Sequence, residues 1–107
     1  MNYNVEASDY FARQLKRLVK KYPSLKIEML HLIQSLEVNP QLGTPLGKEC
    51  YKIRISVASK GKGKSGGARV ITHFYVLRKT VYLLSIYDKA EQGNISSSLI
   101  EELIRQL

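Results

Sequence analysis

Apolar and polar positions change period several times along the chain, and each change predicts an element. Tyr3, Val5 and Ala7 alternate with polar neighbours and predict a short first strand. Ser8 or Asp9 offers a helix N-cap, after which Phe11, Leu15, Leu18, Val19 and Tyr22 recur at helical spacing. The opposite face carries Arg13, Lys16, Arg17, Lys20 and Lys21, so this helix is amphipathic with a basic back. Pro23-Ser24 breaks it, and Ser24 caps a second helix with apolar positions Leu25, Met29, Leu32, Ile33 and Leu36. Asn39-Pro40 ends that helix. So short a break predicts an antiparallel αα-hairpin.

Gln41 to Gly47 holds Gly43, Pro45 and Gly47 and reads as a loop. From Tyr51 the period becomes strictly two: Tyr51, Ile53, Ile55 and Val57 on one face, Lys52, Arg54 and Ser56 on the other. This predicts a half-buried strand. Ser59 to Gly67 is a Lys/Gly/Ser loop. Ala68 to Leu77 and Thr80 to Tyr87, rich in β-branched and aromatic residues, predict a hairpin turning at Arg78-Lys79. Ser98 and Glu101 have capping-box spacing before a last helix with the stripe Leu99, Ile100, Leu103, Ile104 and Leu107. The predicted order is β-α-α-β-β-β-α. It describes one α+β domain over residues 1–107, in two layers, with the helical hairpin packed on a mainly antiparallel meander.

Composition narrows the function classes. The chain has 107 residues, 44% of them hydrophobic, which suits one folded domain and argues against disorder. The single cysteine, Cys50, excludes an internal disulfide framework and a cysteine-rich zinc site. No apolar run approaches the roughly 20 residues of a membrane span, and the N-terminus lacks a signal-peptide core. The expectation is a cytoplasmic protein. A net charge of +8 points to a polyanionic partner. That excess is confined to residues 48–79, where Lys48, Lys52, Arg54, Lys60, Lys62, Lys64, Arg69, Arg78 and Lys79 face one acid, Glu49; the rest of the chain balances to zero.

Gly61-Lys62-Gly63-Lys64-Ser65-Gly66-Gly67 has the composition of a phosphate-cradling loop. A Walker motif would need glycine where Ala58 stands, and would precede a helix rather than a strand, so nucleotide binding is rejected. Two readings remain: a hairpin linker, or a basic loop touching phosphates without base specificity. Lys52 and Arg54 stand side by side on the polar strand face, and Arg69 lies on a strand predicted to pair nearby. The face is either ordinary solvated polarity or a phosphate-binding surface that stabilises a transition state. Tyr87 ends the last strand, where packing and catalysis are both open. His31 reads as structural, and His73 as a strand residue or a general acid/base. Two histidines and one cysteine this far apart carry no metal signature.

Three pieces in this order carry a resemblance: Cys50-Tyr51-Lys52-Ile53-Arg54-Ile55; the glycine–lysine loop running into Ala68-Arg69-Val70-Ile71; and Ser85-Ile86-Tyr87-Asp88-Lys89. Over nearly its whole length the chain resembles the RelE/ParE superfamily of type II toxin–antitoxin toxins, above all its RelE- and HigB-like branch. The resemblance implies a ribosome-dependent endoribonuclease that cuts mRNA, inhibits translation, and is neutralised by a cognate antitoxin with an acidic, partly disordered segment. It implies that Lys52, Arg54 and Arg69 act on the scissile phosphate. Lys89 takes the place of the family's basic residue after the last strand. No tyrosine follows Tyr87, so Tyr87 is the candidate for the tyrosine that RelE-type members carry in their C-terminal segment. Lys60, Lys62 and Lys64 are candidate RNA contacts, and Lys16 and Lys20 on the first helix are secondary ones for the ribosome. No cofactor, metal or membrane is implied. The competing readings are a ParE-type inhibitor that binds DNA gyrase without cutting nucleic acid, and an RNA-binding module without cleavage.

Overall fold

In the computed structural model, which describes residues 2–61, 63 and 66–107, β1 (Asn4–Ala7) leads into α1 (Asp9–Lys21) and α2 (Leu25–Val38). Then follow β2 (Thr44–Gly47), β3 (Cys50–Ile55), β4 (Ala68–Tyr75), β5 (Thr80–Asp88) and α3 (Ser97–Arg105). Ser8 is the cap of α1, its hydroxyl accepting the Phe11 N–H at 3.1 Å. Ser24 stands at the cap position of α2 but accepts no helical N–H; its hydroxyl instead takes the Ser59 N–H at 2.9 Å.

The five strands form one sheet in the order β1-β5-β4-β3-β2. β2 to β5 are antiparallel neighbours, and β1 adds to β5 in parallel, Asn4 opposite Thr80. The fold is α+β as expected, with four differences in detail. Thr44–Gly47 is an edge strand rather than loop; all four residues are exposed, so no burial pattern marks it. The hairpin strand stops at Tyr75, and Val76–Arg78 is a 3-10 turn that leaves Leu77 88% exposed. The cap of α3 is Ser96, which accepts the Leu99 N–H at 3.1 Å, and not Ser98. The fourth concerns layering. The α1–α2 hairpin covers one face through Phe11, Leu18, Leu25, Met29 and Leu36, packed with Ile53, Val70, Leu83 and Ile86. The other face is not bare: α3 packs Leu103 with Cys50, Ile71, Leu84 and Tyr87. Covered faces on both sides explain why β4 and β5 are buried almost throughout.

The β2–β3 turn is built from Lys48 and Glu49, both in the left-handed region at φ 54° and 59°. A two-residue turn of this kind prefers Asn-Gly, because a side chain costs about 1–2 kcal/mol there. Glu49→Gly is therefore expected to stabilise the domain by about 0.5–1 kcal/mol, measured as a higher urea midpoint at unchanged slope.

Candidate phosphate-binding site

The pairing register assembles the site. Arg54 lies directly opposite Arg69, and Arg69 directly opposite Tyr87. Directly paired residues project from the same face, so three strands present one row, Arg54–Arg69–Tyr87. Lys52 is two residues from Arg54 on the same face, opposite Ile71. This is the face that α3 partly covers. Arg54 is exposed and Lys52 half-buried, whereas Arg69 is 4% exposed, its Nη1 donating to the Ala68 carbonyl at 3.1 Å. Like charges placed opposite each other destabilise a sheet, and among the described residues no carboxylate forms a salt bridge with Lys52 or Arg54. Two opposed arginines beside a lysine suit a bidentate grip on an anion with planar or tetrahedral oxygens.

Tyr87 is buried, and its hydroxyl has no hydrogen-bond partner among the described residues. Burial pushes its pKa up, against the opposing charge of Arg69, so the phenol stays protonated at neutral pH. An orphaned buried donor beside two cations is a polar group awaiting an acceptor. Lys89, half-buried in the turn that follows, donates from Nζ to the Gly93 carbonyl at 3.2 Å.

The lysine loop differs from expectation at its first member. Lys60 does not face solvent: its side chain is 6% exposed and its Nζ pairs with the buried Asp88 carboxylate, so it is withdrawn from the RNA contacts. The Lys60 ammonium also lies over the Tyr22 ring, 5.4 Å from its centroid. Lys62, Lys64 and Ser65 lie outside the described residues. Lys16 and Lys20 are exposed on α1. Sequence reasoning missed Asp88 as a member of this neighbourhood. The available signal was its place as the one acid closing the run Tyr82–Tyr87.

Gly67 enters β4 where no side chain fits. A Cβ there would lie 2.0 Å from the Ile55 carbonyl oxygen, a backbone atom that cannot move aside. Gly67→Ala should force β3 from β4 at the pair next to the arginine row, destabilising by about 1–3 kcal/mol in a urea titration. The Arg54–Arg69 spacing should change with it.

His73 lies opposite Cys50 at the far end of the same strands, with Sγ and Nδ1 3.5 Å apart. Burial raises the thiol pKa to about 11 and holds the imidazole below 6.5. Both groups are neutral at pH 7, so the pair offers no thiolate nucleophile. It stands four residues along β4 from Arg69, about 13 Å away along the strand. His31 is exposed on α2. Among the described residues no group of His, Cys, Asp and Glu is placed to hold a metal ion. No helix among them is long and apolar enough to cross a membrane.

Comparisons with known proteins agree with this architecture. Residues 9–105 match the family model described as the RelE toxin of the RelE/RelB toxin–antitoxin system. A doubly arginine-substituted variant of the Escherichia coli toxin RelE, in the free state, superposes with a TM-score of 0.64 at 16% identity, covering 100% of this chain and 99% of that one. A chain of the RelBE2 toxin–antitoxin complex of Mycobacterium tuberculosis gives 0.60 at 19% identity, covering 84% and 94%. The same E. coli variant bound to an antitoxin RelB peptide gives 0.53 at 16% identity, covering 100% and 99%. At these identities the structural matches speak to the fold.

Proposed function

We propose, from the premise that the chain belongs to the RelE toxin family of toxin–antitoxin systems, that it is a ribosome-dependent endoribonuclease cutting mRNA. The observation that carries this is the Arg54–Arg69–Tyr87 row: two opposed cations and a buried phenol without a hydrogen-bond partner among the described residues, on one sheet face. RNA brings its own nucleophile, the 2′-OH next to the scissile phosphate. The protein must then orient it in line, stabilise charge on the phosphorane-like state and move two protons. Arg54 and Arg69 hold the non-bridging oxygens. Lys52 takes the 2′-OH proton as the new O–P bond forms. Tyr87 gives its proton to the departing 5′-oxygen as the old P–O bond breaks, leaving a 2′,3′-cyclic phosphate. Tyr87 suits this role better than Lys89, whose ammonium is engaged with the Gly93 carbonyl. Exposed Lys16 and Lys20 supply salt-dependent attraction to ribosomal RNA. The partner that restrains the activity is an antitoxin with an acidic segment, a reading supported by the toxin–antitoxin complexes among the structural neighbours.

The test is expression of the protein followed by 5′-end mapping of cellular mRNA. Cuts confined to translated regions, with arrest of protein synthesis, are expected. DNA breaks that depend on gyrase, with intact mRNA, would instead establish a ParE-type inhibitor. Ribosome binding without new 5′ ends would establish a binding module.

A further inference from the structure

Groups distant in sequence meet beside the arginine row. Asp88 follows Tyr87 as the last residue of β5. Its carboxylate takes the Lys60 ammonium and the Ala90 N–H, the latter at 2.9 Å, on one oxygen, and the Tyr22 hydroxyl at 2.8 Å on the other. Lys60 Nζ also reaches the Gly67 carbonyl at 3.4 Å, which accepts the Lys89 N–H at 3.1 Å. One carboxylate thus ties the end of α1 to both ends of segment 60–67 and to the strand end that bears Tyr87.

The Lys60 and Asp88 side chains are 6% and 1% exposed. For an ion pair this dry, the cost of desolvation cancels most of the attraction, and an apolar pair of similar size holds a fold about as well. An apolar pair does not fix direction. Direction matters here because the Tyr87 hydroxyl has no hydrogen bond among the described residues, so its aim is inherited from the backbone around it. The pairs Ile55–Ala68 and Ala68–Asp88 form the row next to Arg54–Arg69–Tyr87, one residue away on each strand.

We propose that Asp88, acting through Lys60 and Tyr22, is a positioning residue that sets where Tyr87 and Arg69 stand relative to the scissile phosphate. The proposal rests on the reaction proposed above. It is tested with the full chain carrying Lys60→Met and Asp88→Leu together, labelled with ¹³Cζ-tyrosine, the Tyr87 resonance being identified by Tyr87→Phe. The double variant should melt cooperatively and bind programmed ribosomes as the wild type does. Its Tyr87 resonance should shift, and its single-turnover cleavage rate at saturating ribosomes should fall by about tenfold or more, the scale expected for a small misplacement. Lys60→Arg, which keeps donor and charge, should recover most of the rate. An unmoved Tyr87 resonance overturns the proposal whether or not the wild type cleaves RNA, so an inactive wild type counts against the function and not against the positioning role of Asp88. With an active wild type, a double variant of wild-type rate also overturns it. Should the double variant not fold, Asp88→Asn, which keeps the shape and removes the anion, carries the same two expectations.

Discussion

Arg69→Ala is expected to lower the single-turnover rate of mRNA cleavage on programmed ribosomes by about 10²–10³, equivalent to roughly 2.7–4 kcal/mol of barrier. The size follows from where the charge sits. Arg69 is the middle member of the row, flanked by Arg54 on β3 and Tyr87 on β5, and it is the buried one. A charge held out of water acts on a phosphate through a lower dielectric than an exposed lysine does. The fold should survive, because removing one of two opposed arginines relieves repulsion while deleting side-chain packing. Circular dichroism separates the two effects. Arg69→Lys should fall between, keeping the charge but losing the planar fork. A wild-type rate for Arg69→Ala would place the phosphate elsewhere.

The largest effect on stability is expected at Phe11. It is 1% exposed and anchors the helical hairpin to the sheet at the first turn of α1. Phe11→Ala removes the ring from a core closed by α1 and the sheet, at a cost of about 3–5 kcal/mol. For a domain near this size each kcal/mol moves the melting temperature by roughly 4–8 °C, so a fall of at least about 12 °C should appear in a thermal melt. The total stability of such domains is about 5–15 kcal/mol, which leaves the variant marginal. Leu77→Ala is the control. Leu77 is 88% exposed in the β4–β5 turn, and its loss should stay within about 0.5 kcal/mol. A small effect at Phe11 would mean that α1 does not close the core as described.

The contrast between those two residues also shows what a sequence makes legible. Phe11 and Leu77 are both apolar, but only Phe11 belongs to a sustained helical repeat, and that repeat reveals the buried face. The period-two pattern from Tyr51 to Val57 likewise places Lys52 and Arg54 on one face. The strand Thr44–Gly47 was not legible, because an exposed edge strand containing proline and glycine has no periodicity to read. Nor was the second covered face: the stripe on α3 states that it buries something, and not what. Within the candidate site, the residue types were readable and their register was not. Arg54 and Arg69 are separated by the whole lysine loop, and only strand pairing brings them face to face. Lys60 looks like its neighbours Lys62 and Lys64 in sequence. Its burial depends on Asp88, 28 residues later, and on Tyr22 in the helical hairpin.

The parallel pairing of β1 with β5 bears on the protein's own synthesis. Asn4 waits for Thr80 before its strand has a neighbour. At about 5–20 residues per second, the intervening stretch takes roughly 4–15 s to be made. During that interval α1 and α2 have emerged, but the sheet that buries Phe11 and Leu18 does not yet exist. Pairings this distant also fold slowly, since a large loop must close before any contact rewards it. The Arg54–Arg69–Tyr87 row therefore forms only once β5 has been translated.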